Sequence, residues 1–250
     1  MQKAKFATES QGETRKAKII SAIVGKGGSG KSTLLFSLAK YLHDQGCRVL
    51  VLDTDVNTSL TLQYQRRILM VEDGNINEMN YPEVRSVTLP RGVVATQNQI
   101  LTQSEGYDYV LVDMSGALDM KHEAVALISD LVLVPTLTED KYITPAIDSI
   151  NILTDISKAN DNLPIVALAR MSFPSNGVIA RMQNKLLDDY PCLESTTVPM
   201  RAKYEIADKF GYSITELDKI GSKKERTSAE KAAIQMRIMC KEIKGTVDSL

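Results

Sequence analysis

The nine residues GKGGSGKST, numbers 25–33, lie between an apolar run and a segment whose apolar residues have helical spacing. Residues 19–24, IISAIV, are typical of a buried strand, and residues 34–42 predict a helix. Between a strand and a helix, the pattern GxxxxGK[ST] predicts a loop whose backbone N–H groups hold phosphates. The loop consists of Gly25, Lys26, Gly27, Gly28, Ser29, Gly30, Lys31, Ser32 and Thr33. We therefore expect a nucleotide-binding site, with an ordinary glycine-rich surface turn as the alternative.

Three lysine and serine positions give this loop its chemistry. Lys31 can place a positive charge on the β- and γ-phosphates, and the Ser32 hydroxyl can ligate Mg²⁺. Lys26 is not required in a general phosphate loop, and the form KGGxGKS/T resembles the deviant Walker A motif of the ParA/MinD family of dimerising ATPases. The resemblance implies that Lys26 crosses a homodimer interface and contacts the phosphates of the partner's nucleotide. A solvated loop lysine is the alternative.

A second apolar run ends in two carboxylates. In residues 48–55, RVLVLDTD, alternation places Asp53 and Asp55 on the same side of an extended chain, so both could face one Mg²⁺–phosphate site. The run resembles the Walker A′ element of the family. That resemblance implies that Asp55 positions the attacking water and that Asp53 supports the magnesium shell. The alternative is that the pair caps the next helix, and the two roles are compatible.

A third apolar run, residues 107–116 (YDYVLVDMSG), ends at Asp113 and has the Walker B pattern. Asp113 would hold Mg²⁺ through a coordinated water. Asp113-x-x-Gly116 resembles a switch II turn, in which a glycine lets the backbone move onto the γ-phosphate. Residues 129–136, SDLVLVPT, resemble a structural strand of partition ATPases.

The sequence departs from the family pattern at two places. Partition ATPases usually continue Asp-x-Asp with Pro-Gln, whereas this chain has Val56-Asn57, so the water-orienting step lacks its usual glutamine. After residues 163–168 the family often places an asparagine on the adenine, whereas residues 169–171 here read Ala-Arg-Met. Adenine is therefore implied by the resemblance alone. The resemblance also places a loop beside the base, formed by Pro199, Met200 and Arg201.

Strand-like and helical patterns alternate along the chain, which predicts an α/β fold: a doubly wound, mostly parallel sheet flanked by helices, of the P-loop NTPase type with a deviant Walker motif. Strands are expected at 19–24, 48–53, 85–89, 108–113, 131–135, 163–168 and 195–198. Helices are expected at 151–158, 180–187, 203–209 and 228–244. We expect residues 1–17 to be a flexible polar tail and residues 18–250 to be one domain.

Composition narrows the class of protein. The 250 residues are 43% hydrophobic, which is enough for one substantial core. There is no apolar run of ~18 residues and no signal peptide, so we expect a cytoplasmic protein rather than a spanning or secreted one. The cysteines are far apart in sequence, with no CxxC, which disfavours a zinc or cluster site.

The C-terminal segment is basic although the whole chain has a net charge of −1. Its helix carries an alanine-rich apolar stripe, so the simplest interpretation is a helix docked on the sheet with a solvated basic face. The functional alternative is that this face binds DNA phosphates without reading sequence. A membrane-surface helix is disfavoured because the stripe lacks Trp and Phe. The candidate DNA-binding residues are Lys219, Lys223, Lys224, Arg226, Lys231, Arg237, Lys241 and Lys244.

The patterns and the resemblance together predict a partition ATPase of the ParA type. ATP and Mg²⁺ would close a homodimer, and the dimer would bind nucleoid DNA non-specifically. A centromere-binding adaptor would stimulate a slow hydrolysis that releases plasmid or chromosomal cargo. Three alternatives stay open: a Min-type positioning ATPase at the membrane, a P-loop kinase, and a nucleotide-binding scaffold with little hydrolysis.

Overall fold

Strands and helices alternate in the computed structural model, which describes residues 16–74, 76, 80–116, 118–158, 165–172, 177–193, 198–199, 203–219 and 223–250. The strands are β1 (Lys18–Ala22), β2 (Val49–Asp53), β3 (Glu83–Ser86), β4 (Tyr109–Asp113), β5 (Leu131–Thr136), β6 (Ile165–Ser172) and β7 (Val198–Pro199). The helices are α1 (Lys31–Asp44), α2 (Ser59–Glu72), α3 (Val93–Gln103), α4 (Met120–Ala126), α5 (Asp140–Lys158), α6 (Gly177–Leu187), α7 (Lys203–Lys209) and α8 (Lys223–Asp248), with a 3₁₀ helix at Ile214–Lys219.

The seven strands of the described residues form one sheet in the order β3-β2-β4-β1-β5-β6-β7, and their pairings are parallel. β1 lies inside the sheet, where Ile20 is opposite Leu111 of β4 and Leu131 of β5. The strand order reverses at β1, and such a switch point leaves a crevice at the carboxyl ends of the strands. The prediction of a doubly wound parallel sheet is confirmed.

Both faces of the sheet are covered, which explains the uninterrupted apolar runs in its strands. All five residues of β2 and of β4 are buried. Helices α1, α2, α7 and α8 pack on one face of the sheet, and α3, α4, α5 and α6 pack on the other. A strand buried on both faces needs apolar residues at every position, because neither side meets water.

Several element boundaries differ from the expected ones. β3 lies at 83–86 rather than 85–89, because its pairing with Leu50–Asp53 of β2 sets the register. α5 begins at Asp140 rather than 151, and Pro145 lies inside it, although a proline usually ends a helical pattern. α8 extends beyond 228–244 at both ends. Residues 1–15 of the expected tail, 163–164 and 195–197 lie outside the described residues.

The apolar stripe of α8 faces the core, as expected for a docked helix. Its members are all buried: Ala229, Ala232, Ala233, Met236, Cys240 and Ile243. Among the described residues, no helix combines the length and apolar character needed to cross a membrane.

A buried ion pair fastens α2 to the segment before α8. The Arg67 guanidinium donates two hydrogen bonds to the Glu216 carboxylate, at 2.8 and 3.0 Å, and a third to the Gly211 carbonyl at 3.2 Å. On the preceding turns of α2, the Gln63 amide donates to the Tyr212 carbonyl at 3.1 Å. A bidentate, buried pair of this kind fixes both partners, because removing either would leave an uncompensated charge.

Candidate functional site

The glycine-rich loop connects β1 to α1 at the carboxyl edge of the sheet. Gly28 and Gly30 have φ angles of 76° and 97°, in the left-handed region that favours glycine. Gly30 is the N-cap residue of α1 and supplies no side-chain hydrogen bond. The first N–H groups of α1 therefore point past the loop without a side-chain cap, as an anion-binding helix N-terminus requires.

Lys31 lies at the floor of this loop. The side chain is buried, and its Nζ donates to the Lys26 carbonyl at 3.3 Å. Burial lowers the pKa of Lys31, while the negative charges of Asp113 and Asp55 oppose that shift. The loop backbone thus holds the ammonium group beside two carboxylates, where a phosphate could compete for it.

Ser32 and Asp113 form the part of the site that fits a magnesium ion. The Ser32 hydroxyl donates to Asp113 Oδ2 at 2.6 Å. The other oxygen, Asp113 Oδ1, is buried and makes no hydrogen bond within the described residues. Mg²⁺ prefers hard oxygen ligands and keeps several waters, and an unsatisfied carboxylate oxygen next to a hydroxyl can accept from such a water.

Asp53 ends the strand next to Asp113 and is opposite it in the sheet register. Its Oδ2 accepts the backbone N–H and the hydroxyl of Thr61, both at 2.8 Å. Thr61 lies in the first turn of α2, so Asp53 caps that helix, which is the structural alternative raised by its sequence. Burial raises the pKa of Asp53, and the hydrogen bonds from Thr61 oppose the shift.

Asp55 is held by Asn57, one of the two residues at which the sequence departs from the family pattern. Its Oδ1 accepts the backbone N–H of Asn57 at 2.9 Å and the Asn57 side-chain amide at 3.0 Å. Thr58 follows with a φ of 48°, a left-handed conformation that is uncommon for threonine. Asn57 therefore orients the Asp55 carboxylate in the segment where the family usually has Pro-Gln.

A cavity of about 390 Å³ extends from the glycine-rich loop past Asp55 and Asn57. Its far end is formed by Leu62, Gln63 and Arg66 of α2 and by Asp208. The Arg66 guanidinium donates to Asp208 Oδ2 at 2.8 Å and thereby links α2 to α7. The volume is within the range of small-molecule sites. Sequence reasoning missed the four far-end residues, because no local motif marks two helices that meet across 142 positions.

Family comparison agrees with this geometry. Residues 20–249 match the family described as the CobQ/CobB/MinD/ParA nucleotide binding domain. The chain belongs to this family. The match includes the glycine-rich loop, Asp53, Asp55 and Asp113, and the MinD/ParA resemblance expected from the loop is confirmed.

Individual proteins are similar to this chain over most of its length. The chain is 28% identical over 174 residues to the protein virC1 of Rhizobium radiobacter, with 68% of this chain and 71% of virC1 covered. Its fold matches MinD in the MinC:MinD cell division complex of Aquifex aeolicus, with a TM-score of 0.66, 19% identity and 92% and 96% of the two chains covered. It also matches a plasmid partition protein of Borrelia burgdorferi bound to AMPPNP, with a TM-score of 0.63, 20% identity and 89% and 99% covered.

Two further segments contact the glycine-rich loop of this MinD/ParA domain. A Cβ atom built on Gly116 would lie 2.9 Å from the Gly27 nitrogen, so the Asp113–Gly116 turn touches the loop backbone. A Cβ atom built on Gly28 would lie 3.3 Å from the Tyr142 hydroxyl of α5. The expected switch turn therefore contacts the loop backbone, so a movement of one would displace the other. Tyr142 is a contact that the sequence pattern did not reveal.

The residues expected near the base are only partly described. Pro199 ends β7, opposite Ser172 of β6, whereas Met200 and Arg201 lie outside the described residues. A Cβ atom built on Gly30 would lie 3.5 Å from Met171, so this side chain packs beneath the start of α1. Arg170 donates to Asp188 at 2.6 Å.

The candidate DNA-binding residues fall into different environments. Lys231 and Lys241 are exposed on α8. Arg237 donates to the Asp218 carboxylate at 2.7 and 2.8 Å, and Lys244 pairs with Asp248. Lys219 ends the 3₁₀ helix, and Lys223, Lys224 and Arg226 lie in the first turn of α8. Among the candidates whose side chains the structure describes, exposure therefore favours Lys231 and Lys241 for contact with an external anion.

Asp113 should make the stability of the nucleotide-free protein depend on pH. Burial raises its pKa from 3.8 to about 7. Between these values the folded protein keeps a proton that the unfolded chain has lost, so the free energy of unfolding falls as the pH rises from about 4 to about 7. We expect Asp113→Asn to raise the free energy of unfolding by about 2 kcal/mol at pH 8 and to change it little at pH 4.

Urea unfolding in EDTA at both pH values measures this effect. Asp53 has a raised pKa as well, so the comparison is between wild type and variant at each pH rather than along one curve. Exposed Asp73→Asn is the matched control and should show no such difference. Equal pH dependence of wild type and Asp113→Asn would contradict the expectation.

Proposed function

We propose that this chain is an ATP-dependent, dimerising ATPase of the ParA type that binds DNA non-specifically and drives the partition or positioning of plasmid or chromosomal DNA. The observation that carries the proposal is that Lys31, Ser32 and Asp55 line one cavity of about 390 Å³, with Asp113 hydrogen-bonded to Ser32 at 2.6 Å. Membership of the nucleotide-binding family and the AMPPNP bound to the Borrelia relative support ATP as the nucleotide.

Each residue of the site would have a defined task. Gly25 to Thr33 would hold the triphosphate, with the Lys31 ammonium on its β- and γ-oxygens. Ser32, Asp53 and Asp113 would hold Mg²⁺, which supplies charge neutralisation on the phosphates when it is bound. The Asp55 carboxylate, fixed by Asn57, would orient the attacking water.

Hydrolysis by this arrangement is expected to be slow without a partner. The Asn57 amide is hydrogen-bonded to Asp55, and Val56-Asn57 stands where the family pattern has Pro-Gln, so the site would lack the usual water-orienting glutamine. A centromere-binding adaptor that completed this part of the site would raise the rate. Slow ATP hydrolysis suits a positioning protein, since the DNA-bound state then lasts long enough to keep the protein at one place on the nucleoid.

Lys26→Ala tests the proposed dimer. The Lys26 side chain belongs to the glycine-rich loop, but its charge is proposed to act on the nucleotide of the partner subunit. We expect the variant to bind a non-hydrolysable ATP analogue within about threefold of wild type and to stay monomeric, because two buried triphosphates would then repel each other. Analytical ultracentrifugation with and without the analogue measures this. An analogue-induced dimer of the variant would count against the role of Lys26.

A second test concerns DNA. Non-specific binding through lysines should require ATP and should fall steeply between 50 and 200 mM salt. We expect Lys231→Glu combined with Lys241→Glu to weaken binding about tenfold or more. The matched control is Lys121→Glu with Lys158→Glu, which changes the same charge on α4 and α5, on the opposite face of the sheet. Equal losses in both double variants would remove α8 from the DNA interface.

One observation favours a second candidate, a MinD-like ATPase that works at a membrane surface. Ile234 and Ile238 are each nearly half exposed between Lys231 and Lys241, at a spacing that puts all four on one face of α8. Basic residues that flank apolar ones suit an anionic bilayer as well as DNA. Co-sedimentation with anionic vesicles in ATP, together with failure to bind DNA, would replace the first proposal by this one.

A further inference from the structure

A buried histidine at the start of α4 contacts the Asp113–Gly116 turn. The His122 side chain is 3% exposed, and its Nε2 lies 3.1 Å from the Ser115 carbonyl oxygen. A carbonyl oxygen only accepts hydrogen bonds, so Nε2 carries a proton in this contact. The imidazole therefore donates a hydrogen bond from the first turn of α4 back to the turn that precedes the helix.

The other ring nitrogen fixes the imidazole to the start of α4. Nδ1 lies 3.1 Å from the Asp119 backbone nitrogen and 2.9 Å from Asp119 Oδ1. A neutral ring accepts the Asp119 N–H at Nδ1, whereas a charged ring donates from Nδ1 to the carboxylate. Nε2 keeps its proton in both forms, so the hydrogen bond to Ser115 does not depend on the charge of the ring. A proton on Nδ1 alone would set the Nε2 lone pair against the Ser115 carbonyl oxygen.

The hydrogen bond from His122 fixes the orientation of one peptide group in the turn. The peptide between Ser115 and Gly116 is trans, so its N–H points away from its carbonyl. With the carbonyl directed at the imidazole, the Gly116 N–H projects from the opposite side of this peptide. Gly116 also packs on the phosphate loop, because its added Cβ would lie 2.9 Å from the Gly27 nitrogen. His122 therefore determines how the turn presents its backbone beside the loop.

The turn has open space on one side, so packing alone does not hold it. A cavity of about 290 Å³ lies between the turn and α5, and it is lined by Gly25, Gly116, Leu118, Pro145, Asp148 and Ser149. The Ser149 hydroxyl accepts the Gly25 N–H at 3.0 Å, which holds the start of the loop to α5. Close packing normally immobilises a backbone segment, and it is incomplete at Gly116. The bond from His122 is thus the contact that limits movement of the turn relative to the loop.

We propose that His122 is a positioning residue of the nucleotide site, which holds the Ser115–Gly116 peptide so that the Gly116 N–H is available to the γ-phosphate of a bound triphosphate. The inference rests on the proposed nucleotide function. His122 contacts neither nucleotide nor metal in this role, because it acts through the Ser115 carbonyl. A donor that is already oriented loses less entropy when the ligand binds. ADP has no γ-phosphate, so the role of His122 concerns ATP alone.

The hydrogen bond is tested first in nucleotide-free protein, by nitrogen-15 NMR of the histidine rings. The chain has two histidines, and His43→Gln leaves only the signals of His122. We expect a proton on Nε2 that stays visible in water at pH 8, because it is buried and hydrogen-bonded. A ring protonated on Nδ1 alone would overturn the proposal, whether or not the chain binds nucleotide.

Two substitutions of similar length separate the hydrogen bond from packing. His122→Gln keeps a donor for the Ser115 carbonyl, and its amide oxygen can accept the Asp119 N–H as in a capping box. His122→Met fills similar space without a donor. We expect His122→Met to weaken the affinity for a non-hydrolysable ATP analogue about fivefold and that for ADP less than about twofold. His122→Gln should restore the analogue affinity to within about twofold of wild type. Calorimetry with Mg²⁺ measures each affinity.

Asp119→Ala controls for a general weakening of α4. It removes the carboxylate that caps the helix and leaves Nε2 facing Ser115, so it should lower the unfolding temperature without changing the preference for the analogue over ADP. Equal losses for both nucleotides in His122→Met would overturn the proposal, and so would an unchanged preference. Failure of the proposed function differs from both, because wild type would then bind neither nucleotide. The role of His122 would fall with it, even if the ring spectrum showed the Nε2 proton.

Discussion

Replacing Lys31 with alanine should weaken the binding of a non-hydrolysable ATP analogue about 100-fold, which corresponds to roughly 3 kcal/mol. The Lys31 ammonium is buried between the loop carbonyl of Lys26 and the carboxylates of Asp55 and Asp113. Without it, a triphosphate would meet these two carboxylates with no fixed cation between them, so attraction would become repulsion. Isothermal titration calorimetry with Mg²⁺ measures the change.

Lys26→Ala is the matched control, because it removes the same charge from the same loop at a half-buried position. If that variant lost as much affinity as Lys31→Ala, the loss would reflect the general charge of the loop rather than the buried ammonium. Unchanged affinity of Lys31→Ala would remove the phosphate-binding assignment altogether.

Gly211→Ala should lower the free energy of unfolding by about 4 kcal/mol. The residue has a φ of 68°, and its added Cβ would lie 2.3 Å from the backbone nitrogen of Arg67. Neither backbone can move without disturbing the ion pair of Arg67 with Glu216, which fastens α2 to the C-terminal segment. Urea unfolding followed by circular dichroism measures the loss.

Gly74→Ala separates the two causes. Gly74 has a φ of 72°, and nothing lies within 4 Å of its added Cβ. This variant should therefore show the conformational cost alone, about 1 kcal/mol. If the two alanine variants were equally destabilised, the close approach between Gly211 and α2 would have no energetic weight.

The parts of the fold that sequence predicts well are those whose signal is local. The glycine-rich loop at 25–33 and the aspartates at 53, 55 and 113 each lie at the end of an apolar run. Parallel strands bring their carboxyl ends to one edge of the sheet, so these residues lie at the same edge. The positions of the buried strands are also predicted well, because burial on both faces of the sheet demands unbroken apolar runs. The observed bounds of β3 differ from the expected ones because this short strand has no such run, and its partner β2 sets its register.

The parts that sequence did not predict are contacts between distant segments. Arg67 and Glu216 are each ordinary charged residues in sequence, and only the meeting of α2 with the 3₁₀ helix makes them a buried pair. The expected helix at 151–158 omitted the first turns of α5, where Pro145 lies. It therefore also omitted the contact of Tyr142 with the glycine-rich loop. On α8 the periodicity identified the buried stripe, but the ion pair of Arg237 with Asp218 depends on another element.

The placement of β1 has a consequence for how the protein is made on the ribosome. β1 leads into the phosphate loop, yet both of its neighbours come much later in the chain: Ile20 pairs with Leu111 and with Leu131. A lone strand in a parallel sheet has no local partner, so its pairing must wait until these distant segments have emerged. The nascent chain therefore carries its first motif unpaired until Leu111, and on the other side of β1 until Leu131, has been synthesised, and a chaperone that shields residues 19–24 would act in that interval.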